Sequence, residues 1–201
     1  SFVKLPPGPE TKGRQHPDCC PYGGHLRSMK IKSAIFETSA PALPDCPRLA
    51  LPEFAFIGRS NVGKSSLINL LAEQRDLARV SDLPGKTQLI NFFTINKNWR
   101  LVDLPGYGYA HVAKTKRADF NEAVADYIEG RENLRTVFVL IDSRLPPQQL
   151  DVDFISWISG TRVPFVLVFT KIDKLSRSQA QHNIAAFGQA VLAGLDPAPL
   201  Y

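Results

Sequence analysis

Long apolar runs are missing from this chain. The longest, Val137 to Ile141 and Phe165 to Phe169, fall far short of the about 18 residues that a membrane-spanning helix needs, so a soluble protein is expected. Cysteine is scarce too. The three present, Cys19, Cys20 and Cys46, all lie in the first quarter, which argues against a disulfide framework and for a reducing, cytoplasmic compartment. Strong charge of one sign is also absent. Lys and Arg total 24 against 19 Asp and Glu, a net +5 that permits a polyanionic partner such as RNA without demanding one. What is present is ordinary for a globular domain: 201 residues, 44% hydrophobic and 21% charged, which excludes a wholly disordered chain.

Methionine occurs once, at Met29, and patterned sequence begins directly after it. Nine of the 16 prolines fall at or before Pro52, and residues 1 to 28 show neither helical nor strand periodicity. That segment is expected to be a disordered leader, translated upstream of a true start at Met29. Its His16, Cys19, Cys20 and His25 do not make a zinc site, because adjacent cysteines cannot comfortably ligate one ion and no second knuckle follows.

From Lys30 onward, short β-rich runs alternate with helical patterns. Strands are expected over Lys32 to Thr38, Glu53 to Ile57, Leu89 to Ile95, Trp99 to Asp103, Thr136 to Asp142 and Pro164 to Thr170. Helices are expected over Lys64 to about Glu73, Ala118 to Glu129, Gln148 to Ser159 and Ser178 to about Leu192. Phe54 to Ile57, Val137 to Ile141 and Phe165 to Phe169 are apolar on every residue, as parallel strands covered on both faces would be. The fold class is therefore α/β, a doubly wound, mostly parallel sheet in a three-layer sandwich.

Gly58-Arg59-Ser60-Asn61-Val62-Gly63-Lys64-Ser65 fits the phosphate-loop pattern G-x-x-x-x-G-K-[ST], set between an apolar strand and a helix. Glycines let the backbone wrap phosphates with N–H groups inward, at a helix N-terminus whose dipole favours anions. Lys64 would reach the β- and γ-phosphates, and the Ser65 hydroxyl would ligate Mg²⁺. Asp103-Leu104-Pro105-Gly106 falls at a strand's carboxyl end, where Asp103 would hold the metal through water and the Gly106 N–H would meet the γ-phosphate. Between them, Thr87 of Pro84-Gly85-Lys86-Thr87-Gln88 could complete the Mg²⁺ shell. Lys64, Thr87 and Gly106 are thus the catalytic candidates, and Ser65 and Thr87 the metal ligands.

Thr170-Lys171-Ile172-Asp173 follows the last apolar strand. A carboxylate there accepts two hydrogen bonds from guanine N1–H and the N2 amino group, whereas adenine would leave it unpaired, a discrimination of about 10⁴ or more. The Lys171 stem can lie over the base.

These segments together resemble the Ras-like, TrmE-Era-EngA-type bacterial GTPases, and within them the EngB group, also called YihA or YsxC. The likeness covers Met29 to about Leu195, and Asp103-Leu-Pro-Gly-Tyr-Gly-Tyr-Ala110 is its most extended match after the phosphate loop. It implies a P-loop G domain hydrolysing GTP to GDP and phosphate. It further implies a monomeric cytoplasmic assembly factor for the large ribosomal subunit, supporting division and septation. Carried over by position, Gly58 to Ser65, Gly85 to Leu89, Asp103 to Gly106 and Thr170 to Asp173 would contact the nucleotide. Asn61 matches the residue that coordinates potassium in related cation-dependent GTPases, so K⁺ joins Mg²⁺ among the expected cofactors.

The pattern departs from the wider class in two places. Tyr107 stands where Ras-type switches carry a water-orienting Gln, as in the EngB pattern, so hydrolysis is expected to be slow. The family's final base-contacting Ser-Ala loop and closing helix are not found in the 28 residues after Asp173, so the chain is expected to be truncated at its C-terminus. His111, Lys114, Lys116 and Arg117 form a basic stretch behind the switch that could meet RNA phosphates. The alternative function is a nucleotide-regulated, protein-binding switch at the division site without RNA contact. An ATP-using kinase is disfavoured by Thr170 to Asp173.

Overall fold

Polar turns and apolar runs alternate along the chain, and each becomes a loop or a layer. The computed structural model describes residues 30–78, 89–107 and 114–192, the side chains of 114–121 and 192 excepted. Residues 1–29, on which the expected leader falls, Pro84–Gln88 and His111 lie outside the described residues, as do the side chains of Lys114, Lys116 and Arg117. In chain order the strands are β1 (Ala34–Ala40), β2 (Glu53–Gly58), β3 (Ile90–Ile95), β4 (Trp99–Asp103), β5 (Leu134–Asp142) and β6 (Phe165–Thr170). The helices are α1 (Lys64–Leu71), α2 (Lys114–Gly130), α3 (Gln149–Ser159) and α4 (Arg177–Phe187). All belong to one compact unit, Ile31–Tyr201.

The strands form one sheet in the order β1-β3-β4-β2-β5-β6. β4, β2, β5 and β6 run parallel, while β1, β3 and β4 pair antiparallel. The β3–β4 hairpin turns at Asn96 and Lys97, both with positive φ (49° and 60°), the hand that suits the twist of antiparallel strands. α1 covers one face, setting Ile68 and Ala72 among Phe56, Phe93 and Leu101. On the other face Val124, Tyr127 and Ile128 of α2, Ile155 and Ile158 of α3 and Phe187 of α4 pack on Ile57, Phe92 and Val139. Adjacent Phe92 and Phe93 serve opposite faces, as the two-residue period of a strand requires.

The expected doubly wound three-layer sandwich is therefore present, with shifts at its margins. β1 lies two residues later than its pattern suggested, and α2 begins four residues earlier, at Lys114. α1 stops at Leu71, just before Glu73 takes a left-handed φ of 54°. α4 ends at Phe187 and widens into a π-helical turn, Gly188–Leu192. β6 has the covered faces its run predicts, with Phe165, Leu167 and Phe169 against one core and Val168 against the other, but among the described residues it is an edge of the sheet and only Leu167 on it is fully buried. Its apolar composition suits burial but does not dictate how many neighbours it has.

At the amino ends of the parallel strands sits a buried ionic knot. Glu53, wholly inaccessible, accepts from Arg100 at 3.2 Å, from Tyr127 at 2.8 Å and from Arg131 at 2.6 and 2.8 Å. Arg100 also grips Glu37 through two bonds of 2.7 and 2.9 Å. Cys46 is buried and unpaired nearby, its thiol pushed up to about 11 by burial.

Candidate functional site

Four neighbouring parallel strands, β4-β2-β5-β6, deliver their carboxyl ends to one edge of the sheet. In spatial order these ends carry Asp103, the loop from Gly58, Asp142 and Thr170. This is the edge at which open α/β sheets bind ligands, since the loops there are splayed by crossover helices.

The loop from Gly58 to Ser65 turns tightly between β2 and α1. Its Val62 N–H donates to the Arg59 carbonyl at 3.2 Å, and the Leu67 N–H starts the helix on the Gly63 carbonyl at 2.9 Å. Gly63, the residue before α1, has φ of 103°, which a side chain would strain. Asn61 takes a positive φ of 61°, and Ser60 and Asn61 are exposed while Val62 is buried in the α1-side core. Lys64 and Ser65 occupy the first turn of α1, half-buried.

β4 ends at Asp103, 4% exposed. The Lys64 ammonium donates to its carboxylate, so the two charges expected to serve a phosphate and a metal are adjacent. Leu104, Pro105 and Gly106 follow beyond the strand's end, the Leu104 N–H donating to the Phe56 carbonyl at 3.0 Å. Tyr107 then forms a parallel bridge to Arg59. The Tyr107 ring is buried, stacked on Phe154 with centroids 4.6 Å apart and planes 13° from parallel. It therefore does not act as the water-orienting side chain that Ras-type switches carry at this position.

The base-side residues are joined to the phosphate loop. Thr170 Oγ1 donates to the Val62 carbonyl at 2.7 Å. Lys171, with φ of 60°, donates to the Asn61 carbonyl and to Asp142 Oδ2, the latter at 2.9 Å. Ile172 and Asp173 begin a short 3-10 turn, Ile172–Lys174, in which Asp173 faces solvent beside Lys174 at 3.3 Å.

The structure thus brings together Gly58 to Ser65, Asp103 to Gly106 and Thr170 to Asp173. Leu89 lies just outside β3 and is exposed; Gly85, Lys86, Thr87 and Gln88 lie outside the described residues.

Two residues were missed by sequence reasoning. Asp142 ends β5, only 6% exposed, and is gripped by Lys171 and by both arms of Arg144 at 2.9 and 2.8 Å. Burial alone would raise its pKa, but the bonds from Arg144 and Lys171 outweigh it and hold the carboxyl well below the usual range. A carboxylate closing the apolar run Val137 to Ile141 was the signal available, without the D-x-x-G spacing that marked Asp103. Asp151, in the first turn of α3, had no such signal.

A phosphate loop on a strand-to-helix turn, an acidic strand end beside its lysine, and a T-K-x-D turn tied to that loop define a P-loop GTPase. Residues 53–171 match the family described as 50S ribosome-binding GTPase. The chain is 50% identical over 165 residues to a probable GTP-binding protein EngB of Flavobacterium johnsoniae, covering 82% of this chain and 79% of the relative. It is 49% identical over 173 residues to the same-named protein of Christiangramia forsetii, covering 86% and 87%. A crystal structure of a probable GTP-binding protein engB superposes with a TM-score of 0.56 at 25% identity, over 68% of this chain and 79% of that one. The chain belongs to the EngB family of GTP-binding proteins. It is a GTPase.

Proposed function

We propose that this GTPase binds Mg²⁺·GTP at the carboxyl edge of β4-β2-β5-β6, hydrolyses it, and acts as an assembly factor for the large ribosomal subunit. The observation that carries the nucleotide reading is the Thr170–Val62 bond together with the Lys64–Asp103 pair. They hold base-reading and phosphate-binding groups in one frame. Residues 58 to 65 would wrap the phosphates, Gly106 would face the γ-phosphate, and Asp173 would accept from guanine.

The residues present fit a magnesium ion. Among the described residues no three His, Cys, Asp or Glu cluster as a ready-made metal cage. Mg²⁺ needs none, since it is held by one or two hard oxygen ligands beside substrate phosphates. Ser65 and Thr87 would supply that set, with Asp103 holding the ion through water. The ion would neutralise charge building on the phosphates. Tyr107 is committed to Phe154 and offers no help to the attacking water, so a further cation is the natural supplement. K⁺ held at Asn61 is our reading, and equal hydrolysis rates in KCl and NaCl would reject it.

The ribosomal role rests on the matched family's description and on a net charge of +5. Among the described residues no helix is long and apolar enough to cross a membrane, and we place the protein in the cytoplasm as a monomer. The test is co-sedimentation with large ribosomal subunits. Retention with a non-hydrolysable GTP analogue but not with GDP is expected, and equal failure with both overturns the role in favour of a protein-binding switch at the division site. Depletion in cells should leave immature large subunits, with division and septation defects following.

A further inference from the structure

One carboxylate grips two segments of the nucleotide site from outside it. Asp151, 2% exposed in the first turn of α3, accepts from Arg59 Nε at 3.2 Å and from the Tyr107 hydroxyl at 3.0 Å. Arg59 belongs to the phosphate loop, and Tyr107 follows Gly106 directly. Phe154, three residues along α3, stacks on the Tyr107 ring. The backbones of Arg59 and Tyr107 pair with each other. Gly106 is drawn so close to the loop that a Cβ on it would sit 2.7 Å from the Gly58 carbonyl oxygen.

Binding a nucleotide does not by itself require this arrangement. The Arg59 Nε–H and the Tyr107 hydroxyl are directed to α3, and Asp151 lies outside every segment expected to touch the ligand. Burial raises the Tyr107 phenol far above its ordinary range, with Asp151 adding to it, so its hydroxyl stays a donor at any working pH. What the carboxylate can do is fix the backbone on either side of it. A backbone N–H aimed at an anion contributes more when it is already held in place.

We propose that Asp151 is a positioning residue for the γ-phosphate. Through Tyr107 and Arg59 it holds the Gly106 amide beside the phosphate loop, and so favours triphosphate over diphosphate without touching either. The inference rests on the reading of Gly106 given above. GDP has no phosphate at that position, so the two nucleotides separate this role from a general structural one.

The experiment uses the full chain, with fluorescent GDP and a fluorescent non-hydrolysable GTP analogue titrated in Mg²⁺ and single-turnover GTP hydrolysis measured alongside. Asp151→Ala should weaken triphosphate binding or slow hydrolysis by about tenfold, the size expected for a charged buried hydrogen bond, while GDP affinity stays within about twofold. Tyr107→Phe keeps the ring on Phe154 and removes only the hydroxyl, so it reports even if Asp151→Ala fails to fold; it should move the same way by a smaller factor. The double variant should cost no more than Asp151→Ala alone, since the hydroxyl then has no acceptor to lose. Equal weakening of both nucleotides, additive costs, or unchanged triphosphate affinity and rate in Tyr107→Phe would overturn the proposal. Failure of the unaltered chain to bind GDP would overturn the reading of the site itself, and the inference with it.

Discussion

The Thr170 hydroxyl donates to the Val62 carbonyl over 2.7 Å, joining residues 108 apart in the chain. The loop that would read the base is thereby fastened to the loop that would hold the phosphates. Thr170→Val keeps the shape of the side chain but leaves the Val62 carbonyl without this donor. We expect a stability loss of about 1 kcal/mol and weaker GDP binding, measured by denaturant melts and titration. Unchanged affinity would mean that the two loops are positioned independently.

The Lys64–Asp103 pair is nearly inaccessible, with side chains 10% and 5% exposed. Lys64→Ala should abolish triphosphate binding and also strand a buried carboxylate, at a cost of about 3 kcal/mol. Adding Asp103→Asn to that variant should return most of the stability and none of the binding. Unfolding curves and nucleotide titrations on the two variants separate these effects. A double variant no more stable than Lys64→Ala would remove the electrostatic explanation.

Asp173 faces solvent within the turn that ends the base-side segment. Replacing it with Asn puts a donor opposite a guanine donor, which should cost at least about 2 kcal/mol in GDP binding and favour xanthine nucleotides. Competition titrations with GDP and XDP check this. GDP affinity equal to that of the unaltered chain would place guanine recognition elsewhere.

Two carboxylates make the fold sensitive to acid. Glu37 is held below its ordinary value of 4.5 chiefly by its hydrogen bond from Arg100, against burial. Asp142 is held below 3.8 by Arg144 and Lys171, which outweigh its burial. A depressed carboxylate contributes stability that is complete above its unfolded pKa and is lost as pH falls through the folded one. The melting temperature should therefore hold above about pH 5 and decline below it. Glu37→Gln and Asp142→Asn should each flatten that decline, and an unaltered slope in both would show that other groups control it.

Legibility in the sequence followed the range of the interactions. The phosphate loop, Asp103 to Gly106 and Thr170 to Asp173 could be read because each is a short spacing set at the carboxyl end of a strand. The antiparallel pairing of β1 with β3 was not read, since a β-rich run carries no mark of direction. The run Phe165 to Phe169 announced the two covered faces of β6, while its place at the edge depends on which strands lie beside it. Asp151 was invisible because its partners are 92 and 44 residues away, and a helix-opening Asp reads as nothing more than a favourable charge at a helix N-terminus. Asp142 lacks the D-x-x-G spacing and offered only its place at the carboxyl end of the Val137 to Ile141 run.

At the far end of the sheet, the Glu53 carboxylate draws its donors from 47, 74 and 78 residues away, in β4, at Tyr127 and at Arg131. None of them is local, so no fragment that contains β2 alone can satisfy the charge, and a partly assembled knot is less stable than an empty one. β2, β4 and the last turn of α2 are therefore expected to gain protection from amide exchange together and to lose it together. The opposite end relies on separate ties, Thr170 to Val62 and Lys171 to Asn61, so a break in the knot and a break in the site should register in different amides.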